Sequence, residues 1–362
     1  MSSDAEFSRA IIRWQQQHGR HHLPWQNTRD PYRIWLSEIM LQQTQVTAVI
    51  PYYERFLARF PTLQTLARAG SDEVMALWSG LGYYARARNL HRCAQVICAE
   101  HGGQFPQRAE EIATLPGIGP STAAAIAAFA FGERAAILDG NVKRVLCRHF
   151  GIEGFPGQAA IEKTLWTLAR QQLPADDIEA YTQGLMDLGA TLCQRGKPQC
   201  PRCPLQTNCV AWREQRTAQL PTPRPARVAR ERHALTLVVR QGEDVLLEKR
   251  PPTGIWGGLW CLPQIDLDAA QFSAGIVDPE IQQRIVARLQ SYGINAAQTR
   301  TIDEMVAFTH VFTHFKLNIL PVQVRLAHKP LQAEEGGRLW LALSEIGATG
   351  LPAPVRRLLE GL

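Results

Sequence analysis

The sequence predicts a two-domain chain, a mainly α N-terminal domain followed by a smaller α+β C-terminal domain. Helix-length segments joined by short Gly- and Pro-containing connections fill residues 1–215. A proline-punctuated, arginine-rich stretch with little apolar content covers 216–232 and reads as an extended linker. Strand-like alternation takes over across 233–362. A length of 362 residues exceeds one compact core, and 45% hydrophobic with 20% charged residues excludes a mostly disordered or fibrous chain. The longest apolar stretch, Ala123–Phe131, has nine residues, well short of a bilayer span. With no signal-peptide pattern at the N-terminus, the chain reads as cytoplasmic and not membrane-bound.

Element by element, Asp30 followed by Pro31 pairs an N-cap with proline at the first helical position. The helix they open runs through Ile34, Glu38, Ile39 and Leu41 toward an expected break at Pro51. Further helices are expected over Tyr52–Phe60, Ser71–Trp78, Ala85–His101, Ala109–Leu115, Ser121–Phe131, Val142–Phe150, Gln158–Gln172 and Asp177–Leu192. In the second part, Leu235, Leu237 and Val239 share one face of a strand, and Val245, Leu246 and Leu247 follow a turn. A single strand-like run is expected over Phe308–Leu326 and a helix around Pro279–Gln290.

The formal charge of +6 is mild, but it is unevenly spread. Between Cys193 and Arg232 nine basic residues face two acidic ones, a net +7, so the rest of the chain carries −1. Basic clusters point to nucleic acid or another anionic surface, although arginines among prolines are often just a solvated linker. Four of the eight cysteines fall in the same window, Cys193, Cys200, Cys203 and Cys209, within residues 193–209. A disulfide framework is disfavoured without a secretion signal. One close pair flanked by two wider gaps suits an iron–sulfur cubane better than the paired knuckles typical of zinc. Arg195, Lys197 and Arg202 would offset the charge of such a cluster and meet phosphate.

Leu115–Thr122 reads LPGIGPST, in which Gly117 and Gly119 permit a tight hairpin ahead of a helix N-terminus, a geometry that can hold a phosphate. A plain helix–helix turn uses the same residues. Asp139 stands at another helix start, where aspartates usually serve as caps.

Hairpin, aspartate and four-cysteine loop, in this order, resemble the endonuclease III superfamily of helix-hairpin-helix base-excision DNA glycosylases. The segments LPW at 23–25, WLSEIMLQQTQV at 35–46 and GLGYYARARNL at 80–90 are similar to those of the MutY-type adenine DNA glycosylases. The resemblance implies removal of adenine mispaired with 8-oxoguanine or guanine, from double-stranded DNA, by a monomer carrying one 4Fe-4S cluster on the four cysteines. It also implies that Glu38 is the general acid, that Asp139 stabilises or attacks the sugar, and that Asn141 supports both. The apolar neighbours Trp35, Ile39 and Met40 should keep the Glu38 carboxyl protonated near neutrality. Trp25 would line the adenine pocket, and Gln43, Tyr83 and Leu81 would enter the duplex beside the flipped base. Each of these has a bland counterpart: a surface Glu, a capping Asp, a core Trp or Leu. Ser121 occupies the place of the lysine that lyase-competent relatives use for a Schiff base, so a monofunctional enzyme is expected. Lys143, one turn beyond Asp139, is a candidate for adventitious trapping of the abasic product.

RPPTGIWGGLW at 250–260 resembles the opening of the Nudix-like C-terminal domain of the same family. The stretch Ile281–Ile294 contains no Asp or Glu, so the carboxylate cluster that holds magnesium in a Nudix hydrolase is missing. The domain is therefore expected to read the damaged base. Phe312, Thr313 and His314 stand where the family has a Phe-Ser-His loop against 8-oxoguanine; an exposed strand turn is the bland reading. A bifunctional pyrimidine glycosylase, a noncatalytic lesion binder and a nucleotide pyrophosphatase fit less well, because of Ser121, the Glu38–Asp139 pair and the missing carboxylates respectively.

Overall fold

The computed structural model describes residues 3–225, 230–330 and 337–362, so residues 226–229 of the expected linker lie outside the described residues. Its contacts divide the chain into two compact units, Met1–Arg68 with Asn89–Ala226, and Ala69–Arg88 with Arg227–Leu362. The expected contiguous boundaries assigned 69–88 to the helical part; its side chains instead bond to the second unit. Among the described residues no helix is long and apolar enough to cross a membrane.

Among its described residues the first unit has helices and no strand. Asp30 caps the helix Pro31–Leu41 by accepting from the Tyr32 amide at 2.9 Å. That helix ends at Leu41, ten residues before the expected break, and a second helix, Val46–Arg59, carries Pro51 inside it. The chain turns at Gln42–Gln45, with Gln43 in the left-handed region at φ 57°; Pro51 removes one amide from its helix, which buried Val49, Tyr53 and Phe56 hold in place regardless. The helix Pro120–Phe131 is half alanine, so it can be buried from Ala123 to Ala128 with neighbours close on every side. Its core partners include Ile11, Val142, Leu146, Leu165 and Leu188, each fully buried and each contributing on the order of 1.5–3 kcal/mol. A π-helical turn, Leu188–Leu192, follows the helix Ile178–Asp187 and leads into the cysteine loop.

The second unit is built on an eight-stranded sheet. Its strands are β1 (Arg230–Gln241), β2 (Asp244–Lys249), β3 (Trp260–Cys261), β4 (Gln264–Leu267), β5 (Thr299–Glu304), β6 (Phe308–Val311), β7 (Phe315–Leu326) and β8 (Arg338–Ala342). β1 and β7 run parallel at the centre, with Leu235 opposite Leu320, and the path through the sheet is β3-β2-β1-β7-β5. Alternation along β1 feeds two cores, as a period of two requires. Leu235, Leu237 and Val239 pack with Ile281, Ile285 and Leu289 of the helix Pro279–Gln290, while Val238 packs with Val355 and Leu359 of the helix Ala353–Glu360. The expected single strand over Phe308–Leu326 is a hairpin, β6 and β7, whose turn is Phe312–His314.

Candidate active site

In the first unit the helix Pro31–Leu41 buries Ile34, Trp35, Ile39 and Met40 and leaves Glu38 half-buried at the wall of a cleft of about 680 Å³. Trp25, Gln26, Phe129 and Gln183 also line it. Trp25 is only 7% exposed and meets the Tyr53 ring edge-on at 5.4 Å. Burial first, and the neighbouring Asp139 second, push the Glu38 carboxyl up from 4.5 to about 8.

Asp139 caps the helix Gly140–Phe150, its Oδ1 accepting from the Val142 amide at 2.8 Å. Asn141 Nδ2 faces its Oδ2 at 3.4 Å. Desolvation raises the Asp139 carboxyl too, but the Val142 and Asn141 amides, the Arg144 guanidinium and the Asn141 side chain all oppose the rise. Glu38 has no such opposition: burial raises both carboxyls, and only at Asp139 do directed N–H groups and a guanidinium work against the rise. A protonated carboxyl beside an ionised one can donate a proton to a leaving group and stabilise positive charge left behind.

Arg144 was not anticipated. Its Nη2 donates to Asn141 Oδ1 at 2.8 Å and to the Gly189 carbonyl at 2.7 Å, and its Nε donates to the Cys193 carbonyl at 2.7 Å. The i, i+3 spacing from Asn141 on one helix was the available signal. A Cβ on Gly189 would lie 2.5 Å from the Asn141 Cβ, so this approach demands glycine. Ser121 Oγ accepts from the Leu138 amide at 2.9 Å, tying the hairpin helix to the residue before Asp139. Lys143 is paired with Glu162 at 2.6 Å. Gly117 adopts φ 78°, and a Cβ there would meet Asn89 Cβ at 2.5 Å, whereas Gly119 faces open space at the start of its helix.

The cysteine loop departs from expectation. Cys193 Sγ accepts from Arg148 Nη1 at 3.4 Å, and Cys209 Sγ donates to the Arg148 carbonyl at 3.4 Å. Burial pushes the Cys203 thiol up to about 12, and all eight cysteines are free. Among the described residues no group of three or more His, Cys, Asp or Glu side chains is placed to hold a metal ion. The expected 4Fe-4S cluster on Cys193, Cys200, Cys203 and Cys209 is therefore corrected: the described residues bring together no such ligand group, and Arg148 engages two of the four sulfurs. The loop is organised by the buried Arg148, which donates to the carbonyls of Gln194, Arg195 and Leu220. Arg195, Lys197 and Arg202 are exposed on it.

The second unit holds the remaining expected residues except Gln43, which lies in the first. Gly80, Gly82 and Tyr83 all have left-handed φ, forming a tight loop between the helices Ser71–Trp78 and Ala85–Glu100. Arg86 Nη2 donates to the Leu81 and Gly82 carbonyls, and its guanidinium lies 5.4 Å from the Tyr83 ring. Tyr83 is 47% exposed, but Leu81 is 7% exposed, so Tyr83 alone projects from the loop. The Tyr83 hydroxyl lies 3.3 Å from Thr313 Oγ1, bringing two separately expected residues together. Phe312 stacks on Phe315 at 4.4 Å and lies 5.7 Å from Trp256, while Thr313 and His314 are exposed. Gln43 is exposed in its strained turn and Gln42 reaches Thr122 at 3.4 Å. Of the other non-glycine residues with left-handed φ, Asn27 and Asp177 line the cleft and Trp256 flanks Phe312, while Gln215 lies at neither site.

Comparison with known proteins sharpens this geometry. Residues 36–171 match the model of the HhH-GPD superfamily base excision DNA repair proteins, and residues 234–361 match that of the NUDIX domain. The solved structure of a thermostable thymine-DNA glycosylase superposes with a TM-score of 0.54 at 31% identity, over 58% of this chain and 97% of that one. The adenine DNA glycosylase of Buchnera aphidicola subsp. Schizaphis graminum is 35% identical over 98% of this chain and 98% of its own length. That of Homo sapiens is 31% identical over 97% of this chain and 73% of its own length. The chain belongs to the MutY-type adenine DNA glycosylases of the helix-hairpin-helix superfamily, with a Nudix-like C-terminal domain.

Proposed function

We propose that this adenine DNA glycosylase of base excision repair is monofunctional and removes adenine opposite 8-oxoguanine or guanine by hydrolysis. The observation that carries the reading is the Glu38–Asp139 pair: a desolvated carboxyl at the wall of a cleft, beside a second one held by the Val142 and Asn141 N–H groups. Adenine flipped from the duplex enters beside Trp25. Glu38 gives its proton to N7 of the base, the C1′–N9 bond breaks, and the electron pair leaves with adenine. Asp139, oriented by Val142 and Asn141, stabilises the cationic sugar or bonds to it. Water then attacks C1′, and the Glu38 carboxylate takes up its proton, restoring the acid. Ser121 has no amine for a Schiff base, and its hydroxyl is engaged by Leu138.

Gln43, Tyr83 and the Phe312–His314 turn would contact the opposite strand at the lesion, beside the buried Leu81. Gly117 and Gly119 would present the hairpin to phosphate, and the exposed basic residues of the 193–209 loop would add a salt-sensitive, sequence-independent attraction. The protein acts as a monomer on double-stranded DNA, in the cytoplasm.

The test is single-turnover incubation with a duplex carrying A opposite 8-oxoguanine at neutral pH. Free adenine should appear without strand cleavage, and not at all from intact, undamaged A·T duplex. No adenine release, or wild-type rates in Glu38→Gln, would sink the mechanism. Ser121→Lys should gain strand nicking and a borohydride-trappable adduct.

A further inference from the structure

The Gly80–Tyr83 loop contains three left-handed residues and makes its point at one exposed tyrosine, so what anchors its ends decides where that tyrosine goes. Both anchors converge on a single turn near the C-terminus. Ser79 Oγ donates to the Leu351 carbonyl at 2.8 Å, and the Tyr84 hydroxyl donates to the same oxygen at 3.4 Å. Arg356 Nη2 completes the arrangement, donating to Ser79 Oγ at 3.1 Å and to the Thr349 carbonyl at 2.9 Å. The turn itself is tied to the sheet by the Trp260 amide, which donates to the Gly350 carbonyl at 3.0 Å. Arg356 is half-buried, and its helix keeps its hold on the core through Val355 and Leu359. Its guanidinium is thus surplus to the fold of that helix but placed to fix the serine at the base of the loop.

We propose that Arg356 is a positioning residue for lesion recognition. Through Ser79 and the Leu351 carbonyl it holds the loop so that the Tyr83 hydroxyl meets Thr313, and it thereby sets the preference for adenine opposite 8-oxoguanine over adenine opposite guanine. This rests on the reading above that Tyr83 and Thr313 contact the base opposite adenine.

The experiment measures single-turnover adenine release from both duplexes for wild type, Arg356→Ala, Arg356→Lys, Thr313→Ala and the Arg356→Ala/Thr313→Ala pair. Arg356→Ala should lower the 8-oxoguanine-to-guanine rate ratio by about three- to tenfold, with the guanine rate within about twofold of wild type. Arg356→Lys should recover part of the ratio. The double variant should be no worse than Thr313→Ala alone, because both changes act through one contact. An unchanged ratio in Arg356→Ala, an equal fall on both duplexes, or additivity in the double variant overturns the positioning role. An unchanged ratio in Thr313→Ala overturns the recognition reading and the positioning role with it, whereas a change in Thr313→Ala alone overturns only the latter. Should Arg356→Ala fail to fold, Ser79→Ala removes the Arg356–Ser79 bond, and with it the bond to the Leu351 carbonyl, without touching the helix, and is read in the same way.

Discussion

Glu38 and Tyr83 sit at the business ends of two differently built regions. Around Glu38 and Asp139 the first unit works by enclosure: burial raises both carboxyls, and a few directed N–H groups oppose the rise at Asp139 alone. Around Tyr83 and Thr313 the second unit works by exposure, with neutral hydroxyls and aromatic faces held out on strained, well-anchored turns. Charge needs a low dielectric to be effective, whereas reading a base needs surface a base can reach. The enclosed site should therefore fail steeply when one group changes, and the exposed one gradually.

The steepest expected failure is Glu38→Gln, which keeps shape and removes the acid. Adenine release under single-turnover conditions should fall by about 10²- to 10⁴-fold, with duplex binding retained. A fall no greater than that of a Thr313 variant would erase the contrast between the regions.

The pH profile comes next. In the proposed mechanism Glu38 acts as the protonated acid, so the rate should decline by about tenfold per pH unit above its pKa of about 8. Stability follows the same proton. The folded-state pKa lies above the ordinary 4.5, so this group's contribution is intact below 4.5 and is lost as pH climbs to about 8. Glu38→Gln escapes that loss, and its Tm advantage over wild type should widen across the window in thermal melts. A constant Tm difference would mean that the carboxyl is not desolvated.

Gly117→Ala should cost about 1–3 kcal/mol in denaturant unfolding, from left-handed strain and the clash with Asn89. The same change at Gly119, which faces open space, should cost less than half as much. Thr313→Ser, which keeps the hydroxyl and drops a methyl, is the mildest probe. It should shift the 8-oxoguanine-to-guanine rate ratio by no more than about threefold. A larger shift would show packing, not hydrogen bonding, in charge of the exposed site.

Local chemistry was legible in the sequence where it acts locally. The Asp30–Pro31 cap, the alternation of Leu235, Leu237 and Val239, and the apolar setting of Glu38 all follow from neighbours a few residues away. Pro51 misled because the chain had already turned at the strained Gln43, which no propensity announces. Cysteine spacing carried the metal expectation, but spacing does not say where sulfurs point, and Arg148 engages two of them. The Tyr83–Thr313 approach joins positions far apart in the chain, and only the fold reveals it.

The interleaving of the two units along the chain has a consequence for dissecting this enzyme. Residues 69–88 are encoded within the helical half but bond to Gly257, Thr313 and Leu351 of the other. A cut in the proline-rich stretch therefore yields no clean modules: the upstream fragment keeps a helix and loop stripped of their partners, and the downstream fragment loses part of its own surface. Any chimaera that trades the C-terminal module between relatives has to carry this short internal segment along with it. Structurally the two form one piece written in two places.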